Sequence, residues 1–111
     1  MELTQSNHLD DTICPVARTA EIISGKWTLL IIRDLASGMK RFNQLERSLD
    51  GISPKTLSER LRTLEDEGIL LRQTFADVPH RVEYSLTEKG RDLVQVVESM
   101  RCYGKRWLCD H

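Results

Sequence analysis

A mainly α-helical domain carrying one small β-hairpin is predicted by three features of the 111-residue sequence. The first is "GISPKTLSERLRTLEDEGIL", Gly51 to Leu70, a short helix specified at both ends. The second is a switch from helical to alternating periodicity just after Gly68. The third is a return to helical spacing after Thr87 that runs almost to the C-terminus.

The totals bound what such a domain can be. With 40% hydrophobic residues the chain can bury one modest core, and a partner subunit would help it. A formal net charge of -1, with 30% of residues charged, gives no whole-molecule attraction to nucleic acid, so any basic surface must be local. One is present: Lys40, Arg41, Arg47, Lys55, Arg60 and Arg62 cluster mid-chain against Glu46, Asp50 and Glu59. No leader or apolar run of membrane-spanning length is evident, so a cytoplasmic protein without a membrane partner is expected. Three cysteines with no C-x-x-C pair argue against a disulfide scaffold or closed zinc site, and neither metal nor cofactor is expected.

Taken in order, residues 1–11 are polar and read as a flexible tail, followed by a single domain over 12–111. Pro15 suits the first turn of a helix running to about Ser24, with Cys14 at its cap. A second helix, Trp27 to about Ala36, is apolar on most sides and reads as the core's central rod. Met39 to Arg41 can form a short strand before a third helix, roughly Phe42 to Ser48. The fourth helix is the organising one. Ser53 caps it, Pro54 takes the first position, and Ile52 with Leu57 makes a hydrophobic staple. Gly68 can close a Schellman turn that returns Ile69 to Leu64. Leu57, Leu61 and Leu64 form its apolar stripe, which sets Lys55, Glu59 and Arg62 on the opposite face with Thr56 on the flank. The acids Glu65, Asp66 and Glu67 sit where the helix dipole favours cations, an arrangement that helix stability does not explain.

Two short helices joined through Leu49-Asp50-Gly51 have the layout of a helix-turn-helix, over residues 42–67, although a helical hairpin in a bundle has the same layout. Leu71 to Phe75 and Val82 to Leu86 alternate as strands around a loop carrying His80 and Arg81 at its tip, a wing over residues 69–86. The combination predicts a winged helix-turn-helix with N- and C-terminal dimerisation helices. Thr87 caps a last helix, 87–108, in which Leu93, Val97, Met100, Tyr103 and Trp107 repeat nearly as a heptad. That seam either folds back on the chain's own core or, with Val16 of the first helix, meets a second copy.

The polar face of the fourth helix supplies the candidate contacts to double-stranded DNA. Ser53, Lys55, Thr56, Glu59 and Arg62 are positioned for base edges or backbone; Glu59 can accept from a cytosine amine or simply hold Arg62. Arg41 and Arg81 are candidates for the phosphate backbone, and His80, with Arg81 at the wing tip, for the backbone or the minor groove. Arg60 leans toward the apolar side, where a structural ion pair and a phosphate contact are equally open. An enzyme is not indicated, because Cys14 has no recognisable histidine and carboxylate arrangement and the only glycine-rich stretches are helix ends. A metal- or small-molecule-responsive module is the rival reading: His8, His80, His111 and the cysteines are its ligand candidates, but only Cys109 and His111 have pair-like spacing.

Three stretches, "CPVARTAEIISGKWTLLIIRDL", "RFNQLERSLDGISPKTLSERLRTLEDEGIL" and "RVEYSLTEKG", together resemble the HxlR-type (DUF24) winged-helix transcriptional regulators of bacteria and archaea, from Cys14 to about Trp107. The resemblance implies a homodimer built by the terminal helices on a pseudo-palindromic operator, with Cys14 as a sensor of oxidants or reactive electrophiles in some members. Independently of it, a thiol at a helix N-terminus faces the positive end of the dipole, which favours reactivity; a small buried hydrophobe is the other use of such a cysteine. Cys102 and Cys109 are about 10 Å apart along a continuous helix, too far to bridge each other. They face either Cys14 of one subunit or the other, as disulfide partners, or water.

Overall fold

The structure, a computed structural model, describes residues 14–76, 78 and 81–109. The expected tail and His80 lie outside the described residues. Within them the order is α1 (Pro15–Ile22), α2 (Lys26–Leu35), β1 (Lys40–Arg41), α3 (Phe42–Ser48), α4 (Pro54–Asp66), β2 (Leu70–Thr74), β3 (Val82–Leu86), α5 (Glu88–Arg91) and α6 (Val94–Trp107).

The strands form one antiparallel sheet in the order β1-β3-β2. Arg72 pairs with Tyr84 and Gln73 with Glu83 across the hairpin, while Lys40 pairs with Tyr84 and Arg41 with Glu83 on the other side. The short stretch before α3 is therefore the third strand of the wing, tying the helix-turn-helix to the hairpin. Gln44 Oε1 accepts the Arg41 N–H at 2.8 Å and starts α3 directly from that strand.

Apolar residues of α2, α3, α4 and the sheet share one core. Ile31, Ile32, Leu45, Leu49, Leu57 and Leu64 are essentially inaccessible, and Leu35, Ile52, Leu61, Ile69, Leu70, Tyr84, Leu86 and Val97 complete the cluster. The helix α2 is the central rod, packed against α4, α6 and β3. By contrast α1 contributes no buried residue.

Two boundaries differ from the sequence expectation for physical reasons. The first helix ends at Ile22, two residues early, where the Ile23 N–H still reaches Thr19 O at 3.1 Å before the chain turns at Gly25. The last helix is not one piece. After α5 the chain tightens at Asp92-Leu93, where the Leu93 N–H bonds Gly90 O at 3.0 Å, a three-residue turn that separates α5 from α6.

The cause of that tightening is a fixed point at Gly90. Thr87 Oγ donates to the carbonyls of Gly68 and Ile69 and accepts the Gly90 N–H at 3.1 Å. A β-carbon at position 90 would overlap the Ile69 carbonyl oxygen, so only glycine permits this approach. Lys89 Nζ donates to Glu67 O at 2.8 Å, supplying from α5 the cation that the end of α4 lacks.

Gly90→Ala is therefore expected to destabilise the domain by about 3 kcal/mol or more, lowering the melting temperature by roughly 10 °C or more. A thermal melt followed by circular dichroism checks this; an unchanged transition would mean the backbone approach at Ile69 is not tight.

Candidate nucleic-acid interface

The helix α4 is held firmly at both ends. The Thr56 N–H donates to Ser53 Oγ at 3.1 Å, and the Ser53 hydroxyl donates to Thr56 Oγ1 at 2.9 Å. Both residues are thus engaged in the N-terminal cap as well as standing beside the outer face. At the other end Gly68 has φ 77°, its N–H bonds Glu65 O at 3.0 Å, and the Ile69 N–H bonds Leu64 O at 2.9 Å. These are the two bonds of a Schellman motif. Leu57, Leu61 and Leu64 are buried, whereas Lys55, Glu59 and Arg62 lie on the accessible side. Among the described residues none of these three forms an ion pair, so Glu59 does not hold Arg62.

The other candidates separate. Arg41 is exposed beside the start of α3. Arg60 is half-buried with its guanidinium against Gly25, in the turn between α1 and α2, and forms no ion pair among the described residues. Arg81 is committed within the wing. Its Nε and Nη2 donate to Glu83 Oε2 at 2.9 and 2.8 Å, and its guanidinium lies 4.5 Å from the centre of the Phe75 ring. Because Glu83 is only 7% exposed, this pair neutralises a carboxylate that the sheet would otherwise bury alone. A cation that sequence reasoning missed is Arg72. It is exposed on β2, opposite Tyr84, and forms a groove with Arg62 between the sheet and α4. Strand alternation marks which face it shares with Thr74, but not that α4 adjoins that face.

The candidate dimer residues also divide. Leu93 packs against the core and Val97 is buried, so those two of the five seam residues are used within the chain. Val16 (78%), Met100 (49%), Tyr103 (62%) and Trp107 (64%) are exposed, with Leu108 beside them. An open apolar groove of about 360 Å³ runs between α1 and α6, lined by Val16, Ala20, Ile23 and Val96 among others. All three cysteines are free thiols, Cys14 half-buried and Cys102 and Cys109 exposed. Cys14 holds the N-cap backbone position of α1 without a side-chain cap. Among the described residues no group of three histidine, cysteine or acidic side chains is arranged to hold a metal, and no helix is long and apolar enough to cross a membrane.

A short helix, a glycine turn, a capped helix with a bare polar face and an antiparallel wing define a winged helix-turn-helix, a class that binds DNA. The chain belongs to the HxlR-like helix-turn-helix family, which it matches over residues 22–111. It is 43% identical over 96 residues to the uncharacterized HTH-type transcriptional regulator sll1512 of Synechocystis, covering 86% of this chain and 71% of that protein. Among solved structures it is similar to the redox regulator HypR in its reduced form, with TM-score 0.80, 40% identity, and 84% and 92% of the two chains covered. A MarR-family transcriptional regulator from Porphyromonas gingivalis superposes with TM-score 0.84 at 36% identity, covering 89% and 97%. The protein is thus a helix-turn-helix transcriptional regulator and not an enzyme.

Removing the guanidinium in Arg81→Ala leaves Glu83 buried without a partner and is expected to cost roughly 1–3 kcal/mol. Adding Glu83→Gln to that variant should recover much of the loss in a chemical-denaturation experiment. Failure of the double variant to recover would place the effect in the Phe75 stacking instead.

Proposed function

We propose that the protein acts as a homodimer that sets its two α4 helices into successive major grooves of a pseudo-palindromic operator, roughly 34 Å apart, and that Cys14 makes this binding responsive to oxidants or reactive electrophiles. One observation carries the DNA reading. The helix α4 is locked at both ends and buried along one side, yet Lys55, Glu59 and Arg62 on its other side are unpaired among the described residues. Lys55 and Arg62 are suited to guanine edges or phosphates, and Glu59 to a cytosine amine.

The dimer reading is supported by the row Met100, Tyr103 and Trp107, which continues past the part of the seam that the core uses. Aromatic side chains exposed in a row beside an apolar groove are the composition of an interface centre. A second copy carrying the same α6 and the same groove satisfies that surface by twofold symmetry.

The sensor reading is supported by position. Cys14 opens the helix that flanks this groove, so a modification there alters the surface on which the two copies meet. HypR, whose reduced and oxidised forms are both known and which is named a redox regulator, is similar to this chain over most of its length. Oxidation of the thiol to a sulfenic acid, its capture as a disulfide or its alkylation are the available chemistries. The outcome is a changed spacing of the two α4 helices.

In fluorescence-anisotropy titrations on the gene's own upstream duplex, Arg62→Ala should weaken binding about tenfold, and Lys55→Ala should flatten the salt dependence or relax base preference. Wild-type affinity in both variants would reject α4 as the reading surface. For the sensor, diamide or a quinone should change operator binding of the wild-type protein and leave Cys14→Ser unaffected. An identical response in the serine variant removes Cys14 from the mechanism.

A further inference from the structure

The groove between α4 and the sheet is not used by the reading above, and its chemistry is specific. It is open, about 400 Å³ in volume, and Ser58, Arg62, Glu65, Arg72 and Tyr84 contribute its polar lining. Tyr84 pairs across the sheet with Arg72 on one side and Lys40 on the other, and directly opposed residues of antiparallel strands project from the same face. Lys40 is drawn aside, its ammonium donating to Ser37 Oγ at 3.1 Å. Arg72 is therefore the cation of this row left to the groove.

Tyr84 gives a second, independent sign. It is only 8% exposed, and its side chain makes no hydrogen bond among the described residues. Its hydroxyl is nonetheless not sealed from solvent, unlike Asp34 Oδ2, the one fully enclosed side-chain atom without a partner among those residues. The residue that carries this unbonded hydroxyl is itself part of the groove lining. Neither Arg62 nor Arg72 forms an ion pair among the described residues, and Glu65, which shares the groove, is bonded to neither. Two unpaired guanidinium groups against one carboxylate leave a net positive charge, and all the uncommitted donors match the oxygens of a phosphate.

We propose that this groove binds one backbone phosphate of the DNA duplex, clamped between Arg62 and Arg72, with the Tyr84 hydroxyl donating a third hydrogen bond. The inference rests on the DNA reading of α4 and deepens it. The phosphate chemistry would suit a free anion as well, but Arg62 favours the duplex: it stands at the border of the groove and of the outer row with Lys55 and Glu59. A helix seated in the major groove has a strand of backbone along its flank, and here that flank is the opening between α4 and the hairpin. Arg62 is then a positioning contact, and base discrimination falls to Lys55, Thr56 and Glu59.

The test is a set of anisotropy titrations over a range of potassium chloride, using the upstream duplex and a scrambled duplex with the full-length protein. Arg72→Ala should weaken both duplexes by the same factor, about three- to tenfold, and reduce the slope of log K against log salt by about one, the value for a single phosphate no longer neutralised. Tyr84→Phe should weaken both in the same direction by less. The Arg62→Ala/Arg72→Ala double variant should lose less than the product of the two single losses, because both side chains hold the same phosphate. Circular-dichroism melts should show Arg72→Ala folded like the wild type, since the side chain is exposed. In a separate arm, inorganic phosphate at matched ionic strength should leave the wild-type melting temperature unchanged. If the wild-type protein binds its operator and Arg72→Ala shows the same affinity and slope, the clamp is overturned while the DNA reading stands. A wild-type protein that binds neither duplex overturns both. Stabilisation by inorganic phosphate that Arg72→Ala abolishes, with the DNA slope unmoved, assigns the groove to a small anion and also overturns the clamp.

Discussion

The close approach of Gly90 to the Ile69 carbonyl is the constraint on which the arrangement of the functional parts depends. Backbone groups just past the end of α4 are served there from the segment Thr87–Gly90: the carbonyls of Glu67, Gly68 and Ile69 accept from Lys89 and Thr87, and the Thr87 N–H itself donates to Ile69 O at 3.0 Å. The helix α4 ends at this point, β2 begins one residue later, and α5 and α6 start on its other side. A single junction therefore fixes three relative orientations, and it does so with backbone groups whose burial would be costly if unserved. The tightened turn at Asp92-Leu93 follows from it, because the chain must leave a fixed Gly90 and still bring Val97 onto the core.

With its interior settled in this way, the monomer leaves two surfaces unsatisfied in different senses. Along α4 and the adjoining groove it is charge that lacks partners: Lys55, Arg62 and Arg72 are cations without counterions among the described residues, in a chain whose net charge is -1. Along α1 and α6 it is apolar area, with Val16, Tyr103 and Trp107 each more than half exposed. An anion would meet the first deficit and another apolar surface the second, so the two do not call for one partner. This separation lets one face be modified without touching the other.

Much of this was legible because it is written locally. The limits of α4 follow from Ser53-Pro54 and from Gly68, whose chemistry acts within one helical turn, and the strands agree with expectation to within a residue. What escaped is non-local. Arg81 and Glu83 are two apart in the chain and so share a face, but the stacking of Arg81 on Phe75 depends on a hairpin register that the intervening loop leaves open. The heptad spacing identifies Leu93 and Val97 with Met100 and Tyr103 as one stripe. Spacing alone does not tell which members the chain's own α2 will cover, and the core takes the first two. Gly90 reads as an ordinary helix glycine until Ile69, twenty-one residues earlier in the chain, is seen against it. Arg72 was invisible for the same reason, since its role is set by what lies across the groove.

The least committed element is also the one that carries the thiol. The helix α1 buries no residue of its own, whereas α4 is capped at both ends, stapled at Ile52 and anchored at its C-terminus from α5. A covalent change at Cys14 acting through the body of the monomer would have to disturb that anchored frame, at the cost of buried contacts. Acting through α1 it needs only to shift a helix whose contacts are partial, against a groove that the monomer leaves open. In the proposed homodimer, a rigid reading head with a loosely held helix at the copy-to-copy face would transmit a signal as a change of spacing between two intact heads. The physical asymmetry between α1 and α4 therefore favours, for the switch proposed at Cys14, a mechanism that resets how far apart the two α4 helices stand over one that melts them.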